Sequence, residues 1–248
     1  LALDADGLFL ALEVGLLADM GAYLAQFAPH FPFVGATMAT GLYDIPALAM
    51  RIRGVYTNAV TVDAYRGAGR PESAYLIERL VDRAAEVAGL GRDEIRRRNF
   101  VAPDQLPYKT PTGRTYDSGE FAGHMERAMA KADWSGFAAR RAASAARGRY
   151  RGIGLASYVE AAAFPSAEEA TARLGDDGVV TILIGTQSNG QGHETAYAQI
   201  AAVHFDVDID RIRIVQGDTD LIPRGGGTGG FPPVPPRGRP GRPGRRAP

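Results

Sequence analysis

Three glycine-rich junctions limit the fold of this chain more than any other feature. The first is Ala64-Tyr65-Arg66-Gly67-Ala68-Gly69-Arg70-Pro71, where a β-branched run turns into a helical pattern. The second is Thr186-Gln187-Ser188-Asn189-Gly190-Gln191-Gly192-His193-Glu194-Thr195, again between an apolar run and a helix. The third is Gly217-Asp218-Thr219-Asp220 after an alternating strand, followed by five glycines within Gly225 to Gly230. Glycine tolerates left-handed backbone and lets a chain approach a ligand or a neighbour closely, so strands that feed helices through such turns build layered α/β structures. The expected fold class is α/β, with mixed sheets carrying helices.

Other segments fit that frame. Leu8 to Leu12 and Asp19 to Leu24 read as short strands around a loop, and Arg51 to Tyr65, rich in Val, Tyr and Thr, reads as strand. Arg70-Pro71-Glu72 opens a helix, with Pro71 at a first helical position and Glu72 at the positive end. Ile77, Leu80, Val81, Ala84 and Ala88 continue it at helical spacing, and Gly89 stops it. Asp93 to Asn99 reads as a short helix with an Arg-rich solvated face. Pro103 to Tyr116 is loop. Asp117-Ser118-Gly119-Glu120 reads as a capping box before Phe121, Met125, Ala128 and Met129, and Ser135 to Arg147 as a further helix. The pattern changes near Gly148. Beyond it, Arg151 to Glu160 reads as strand, and Glu169 to Leu174 and Val179 to Ile184 as a hairpin around Gly175-Asp176-Asp177-Gly178. A helix from His193 to Phe205 and a strand from Arg211 to Val215 follow. The expected division is 1–147, 148–230 and a tail, 231–248.

Composition removes several function classes. The 28 basic and 28 acidic residues cancel, but five arginines and no acid lie in Phe231 to Pro248. The body is therefore mildly acidic and offers no broad basic face to nucleic acid or an anionic membrane. No apolar run approaches the ~18 residues of a membrane span. Cysteine is absent, so this stretch forms no disulfide, thiolate zinc site or cysteine-ligated iron–sulfur cluster, which fits a reducing, cytoplasmic setting.

The junctions carry the candidate chemistry. In the second, the helix start favours an anion, and Gln191, His193 and Thr195 can donate hydrogen bonds to a phosphate or a polar ring. A plain solvated strand–turn–helix connection is the competing reading, and Glu194 argues against a bare phosphate. The glycines of the third junction form either a ligand-ordered loop or a linker. Arg66 and Arg70 on a tight loop suit an oxyanion or carboxylate, or are simply solvated. Glu160 is a lesser candidate at a strand end. His30 and His204 lack ligand-spaced companions, His124 reads as a surface residue on the helix three residues after Phe121, and Trp134 reads as packing. There is no nucleophile elbow, Walker loop or dinucleotide fingerprint.

In order, Asp19-Met20-Gly21-Ala22-Tyr23, Ala64 to Glu72, Arg97-Arg98-Asn99-Phe100, Tyr108 to Gly119, Gly152 to Glu160, Gly190 to Thr195 and Gly217 to Gly230 resemble the large subunits of the molybdenum hydroxylases. That family includes xanthine dehydrogenase, aldehyde oxidases and aerobic carbon monoxide dehydrogenase, and the resemblance covers nearly all of residues 1–230. It implies parts of two α/β domains that clamp a molybdopterin cofactor with molybdenum, expected as the cytosine dinucleotide. It implies that Gly190, Gln191, Gly192, His193 and Thr195 hold the pterin or its phosphates. Thr228, Gly229 and Gly230 would begin a second cofactor loop, and Arg66 would sit beside the molybdenum. The implied reaction is oxidative hydroxylation of an aldehyde or N-heterocycle, with water as the oxygen source. Electrons would leave through an iron–sulfur small subunit and an FAD medium subunit. Where copper-dependent carbon monoxide oxidisers carry a cysteine, this chain has Gly67, as in the so-called form II relatives. The family's catalytic glutamate and an earlier glycine-rich loop have no counterpart here. The expectation is thus an incomplete large subunit without turnover of its own. A non-catalytic cofactor-binding or assembly module, or a gene remnant, is the alternative, and generic nucleotide binding a third reading.

Phe231 to Pro248 holds seven Pro, five Arg and three Gly, a composition that supports neither helix nor ladder. After Gly230 the resembling family continues Ser-Arg-Ser, then Pro-Val-Gly-Gly. Codons that Phe231 to Gly238 permit, read one base later, give Ser-Arg-Arg-Ser-Leu-Pro-Val. A shifted reading frame is therefore expected: sequencing the gene should recover the family motif in the +1 frame, and coding DNA with no such match contradicts this.

Overall fold

The structure is a computed structural model that describes residues 1–160, 168–225, 227 and 228. Its contacts divide into two compact units, Leu1–Glu160 and Ala161–Pro248.

In the first unit, β1 (Ala2–Leu3) lies antiparallel to β2 (Phe9–Asp19), and β3 (Ala47–Val55) runs parallel to β2 from the pair Ala11–Ala47 to the pair Asp19–Val55. The expected break inside residues 8–24 does not occur there. β2 is one strand of 11 residues. Gly15 does not interrupt it, because nothing lies within 4 Å of where its Cβ would stand and β3 supplies an unbroken ladder across it. The strand stops at Asp19, whose carboxylate accepts the Thr57 hydroxyl at 2.7 Å and the Gly21 N–H at 2.8 Å. Those two bonds, Thr57 first, hold the Asp19 carboxyl below its ordinary range. Residues 20–24 and 56–65 are consequently loop rather than strand.

Five helices complete this unit: α1 (His30–Ala36), α2 (Arg70–Ala88), α3 (Arg92–Asn99), α4 (Phe121–Lys131) and α5 (Phe137–Ala145). α2 follows its pattern, with Ile77 and Val81 fully buried and Gly89 ending it in left-handed backbone. The expected capping box at Asp117 is not formed. Ser118 occupies the Asp117 carboxylate at 3.0 Å, and Glu120 itself caps α4 by accepting the Gly123 N–H at 2.8 Å. Pro103 to Tyr116 is loop apart from a single 3-10 turn, Pro103–Gln105, and the short antiparallel pair β4 (Tyr108–Lys109) and β5 (Thr115–Tyr116).

α3 corrects the reading of a solvated arginine face. Arg97 and Arg98 are exposed, but Arg96 is wholly buried. Its Nε donates to Glu78 at 2.9 Å, its Nη2 to Glu78 at 2.7 Å and to Asp82 at 3.0 Å, and its Nη1 to the Arg92 carbonyl at 2.8 Å. Tyr43, also buried, donates its hydroxyl to the other Glu78 oxygen. Burial, and then the Glu78 charge, push the Tyr43 phenol well up, so it stays a neutral donor. Burial works against the Arg96 charge, but Tyr43, Glu78 and Asp82 together hold its pKa above the ordinary value. Next to it, Asn99 is satisfied on both sides of its amide. It accepts the Phe9 N–H at 2.7 Å and donates to Gly7 at 2.9 Å and Ile95 at 2.8 Å, tying α3 to the β1–β2 turn.

The same carboxylate holds the end of the unit. Arg151 to Glu160 forms no strand, since no neighbouring strand among the described residues offers it a ladder. Instead the Ser157 N–H donates to Glu78 at 2.9 Å, and Leu155 and Val159 pack on the apolar core around Tyr43, Ile77 and Ile95. Compact packing therefore continues past Gly148 to Glu160.

In the second unit, β6 (Ala170–Leu174) and β7 (Val180–Ile184) form the expected hairpin. β8 (Ile212–Val215) lies parallel to β7, and α6 (His193–Phe205) connects the two. No helix among the described residues is long and apolar enough to cross a membrane.

Removing Arg96 while keeping its bulk, as in Arg96→Met, takes the cation from buried Glu78 and one of its cationic partners from Asp82, which keeps Arg79 at 3.2 Å. Urea unfolding should show a loss of ~3–5 kcal/mol, the size typical of a broken buried pair. A variant as stable as the parent would show that the network is dispensable.

Candidate functional site

Loops that leave the carboxyl ends of neighbouring parallel strands emerge side by side, which is where open α/β sheets gather ligands. In the second unit β7 and β8 are such a pair. The loop after β7 and the loop after β8 are stitched together by two side chains, Thr228 and Gln216, while a third, Gln191, closes a bond within the first loop. The Thr228 hydroxyl accepts the Gln187 N–H at 3.0 Å and donates to the Gln187 carbonyl at 2.6 Å. Gln216 accepts the Ser188 N–H at 3.0 Å. Gln191 accepts the Asn189 N–H at 2.5 Å. Three successive backbone donors are thus each met by a neutral side-chain oxygen. The two loops also touch through glycine: a Cβ on Gly185 would stand 2.3 Å from the Gly225 Cα, so no larger residue fits.

The loop ends at Gly192, whose left-handed backbone (φ 77°) starts α6 without any side-chain cap. His193 follows and is 95% buried, at 5% relative exposure. Its ring lies 5.0 Å from that of Tyr197, whose hydroxyl is 2.8 Å from the Thr186 hydroxyl. The His193 Nδ1 is buried and has no hydrogen-bond partner among the described residues. A buried polar atom left without a partner costs about 1–3 kcal/mol, and such atoms are uncommon in native proteins. Gly190 and Gly192 leave open space where a Cβ would stand, with nothing within 4 Å. Gly190, Gly192 and Thr195 are exposed and Gln191 is half-buried. The sequence-predicted residues Gly190, Gln191, Gly192, His193 and Thr195 thus share one loop and first helical turn, and Thr228 joins them. Gly229 and Gly230 lie outside the described residues, as does the tail, 231–248.

Gln216 and Glu194 were not singled out as partners by sequence reasoning. Gln216 stands just past β8 and also donates its amide to the Glu194 carboxylate in the first turn of α6. The available signal was its position before Gly217-Asp218 at the end of a strand. That signal gains meaning only once β8 is known to lie beside β7.

In the first unit the Arg66 loop likewise follows a strand, β3, that runs parallel to a neighbour. Gly67, Ala68 and Gly69 adopt left-handed backbone in succession, at φ 91°, 42° and 88°. The turn is locked onto α1. A Cβ on Gly69 would meet the Phe31 carbonyl at 1.9 Å, one on Gly35 would meet the Gly69 carbonyl at 2.4 Å, and the Ser73 hydroxyl donates to the Gly35 carbonyl at 2.6 Å. The two arginines of this loop part company. Arg70 turns back, donating to the Gly67 carbonyl at 2.8 Å and pairing with Glu160 at 2.9 Å. Arg66 is exposed. Beside the loop lies a mostly apolar cavity of about 420 Å³, bordered by Tyr65, Gly69 and Ser73 on one side and Leu16, Met20 and Met50 on the other. His30, His124 and His204 are exposed.

Two family models, each described as a molybdopterin cofactor-binding domain, match residues 1–100 and 127–231. The carbon monoxide dehydrogenase large chain of Afipia carboxidovorans is 37% identical over 95% of this chain and 32% of its own length. The 6-hydroxypseudooxynicotine dehydrogenase complex subunit gamma of Paenarthrobacter nicotinovorans is 35% identical over 92% of this chain and 29% of its own. Among solved structures, quinoline 2-oxidoreductase from Pseudomonas putida 86 superposes with a TM-score of 0.85 at 34% identity, covering 92% of this chain and 31% of that one. A Cu,Mo-CO dehydrogenase superposes with a TM-score of 0.75 at 32% identity, covering 92% and 31%. This chain spans roughly a third of the length of these relatives.

Proposed function

Because the chain belongs to the molybdopterin cofactor-binding family, we propose that it is part of a molybdenum hydroxylase large subunit and that its 186–195 loop holds the pterin or its phosphates. The observation that carries this reading is the His193 Nδ1, buried at the uncapped start of α6 without a partner. The residues suit the group. Gly190 and Gly192 let a flat or charged ligand approach the backbone, and Gln191 and Thr195 bring polar side chains to the same turn. Thr228, with Gly229 and Gly230, begins the second cofactor loop. The cofactor is molybdopterin with molybdenum, proposed as the cytosine dinucleotide. When bound, it supplies two-electron oxidation chemistry with water as the oxygen source.

This chain's own residues bind and orient. Arg66 is carried by a loop whose backbone Gly69 and Gly35 lock against α1, and its guanidinium is proposed to stabilise negative charge developing on a reacting partner. The apolar cavity beside that turn offers space for an apolar ring. We propose an aldehyde or N-heterocycle as substrate. The likeness to quinoline 2-oxidoreductase supports the heterocycle, and Gly67 offers no thiol for copper. We propose an iron–sulfur small subunit and an FAD medium subunit as partners, in the cytoplasm; the likeness to a subunit of a dehydrogenase complex supports this, and the cysteine-free residues 1–248 hold no cluster themselves. We propose that these 248 residues by themselves, about a third of the relatives' length, have no turnover.

The purified chain should bind molybdopterin cytosine dinucleotide and oxidise neither aldehydes nor purines. His193→Ala should weaken binding about tenfold, the worth of one hydrogen bond to a charged group. Equal binding by the variant, or a preference for ATP or NAD, contradicts the loop assignment. Turnover by the isolated chain contradicts the inactivity.

A further inference from the structure

The start of α6 presents a conflict. Its first-turn N–H groups have no side-chain cap, so they favour an anion, yet Glu194 places a carboxylate in that same turn. A free Glu194 is the nearest anion able to occupy those donors, and its charge opposes any phosphate that approaches them. The structure shows where this carboxylate goes. Gln216, on the strand side of the junction, donates its amide N–H to Glu194 while its amide oxygen accepts the Ser188 N–H at 3.0 Å. The two bonds fix the orientation of the amide, because only one end of it can donate to a carboxylate and only the other can accept from a backbone N–H. Beside this pair, the His193 Nδ1 is buried with no partner among the described residues, an independent sign that a ligand completes the turn.

We propose that Gln216 is a positioning residue for the anionic part of the ligand: it draws the Glu194 carboxylate onto the β8 side and holds Ser188, leaving the start of α6 open to phosphate. This rests on reading the 186–195 loop as the cofactor loop. Gln216 itself need not touch the ligand. It acts through Glu194, by keeping a like charge away, and through Ser188, by keeping the loop in shape. The two contributions separate by double substitution. If the main effect is the charge, removing the charge makes Gln216 unnecessary.

The test is calorimetric titration of the full chain with inorganic pyrophosphate, alongside amide exchange at Ser188. Gln216→Ala should weaken pyrophosphate binding roughly tenfold and speed exchange at Ser188. Glu194→Gln with Gln216→Ala should return the affinity to within about twofold of the parent, while Ser188 still exchanges fast. Gln216→Met, which keeps the length and loses both bonds, serves the same comparison if the alanine variant does not fold. Unchanged affinity in Gln216→Ala or its Gln216→Met stand-in overturns the positioning role, and a double variant as weak as the single overturns its action through the Glu194 charge. A parent chain that takes up no pyrophosphate defeats the loop assignment itself, and the role of Gln216 falls with it. That outcome is told apart because it precedes any difference between variants.

Discussion

The buried guanidinium of Arg96 is the interaction on which most of the first unit depends. One charged group joins α3 to α2 through Glu78 and Asp82, and through Glu78 it reaches Tyr43 and the backbone of Ser157. A lone buried charge is very costly, so each member is tolerable only because the others are present. Four segments far apart in sequence are thereby held in one arrangement. Among them is α2, whose first turn carries the Arg66 loop at one end and the Arg70–Glu160 pair beside it. The loop that carries Arg66 is thus joined through α2 to this network.

Both units use one geometric device. A strand is paired in parallel with the next, and the connecting segments leave from the same carboxyl edge. In each unit, glycines at that edge allow a backbone contact that no Cβ would permit: Gly69 on α1 in the first, Gly185 on Gly225 in the second. These contacts fix loops that would otherwise be free to move. Fixed loops are what a ligand with several phosphate and ring contacts requires, because little ordering remains to be done on binding. The second unit goes further, meeting the N–H groups of Gln187, Ser188 and Asn189 with neutral oxygens and leaving one buried nitrogen, on His193, unmet.

The parts of this arrangement legible in the sequence are those governed by local rules. α2 was readable from Pro71, Gly89 and the spacing of Ile77 and Val81, and the 175–178 hairpin and the start of α6 at His193 from their glycines. What escaped depends on partners distant in sequence. Arg96 looks like its neighbours Arg97 and Arg98 until Glu78, 18 residues away, is brought against it. Residues 13–18 look like a loop between two short strands until β3 pairs across them. Residues 151–160 alternate like a strand, but Glu78 and the core claim them as an extended strap. Gln216 gains its role only from the adjacency of β7 and β8. At the site, the candidate loop was visible from composition, while the network that shapes it was not.

The central claim is that the unsatisfied His193 nitrogen is a ligand-binding atom rather than a packing defect. The chain has four histidines, and the other three, His30, His124 and His204, are exposed, so imidazole nitrogen NMR resolves the question with little ambiguity. Spectra of the ¹⁵N-labelled chain recorded before and after addition of molybdopterin cytosine dinucleotide should show the His193 Nδ1 resonance shifting alone, with the three exposed rings unchanged. A His193 signal that stays in place while the dinucleotide binds would contradict the account.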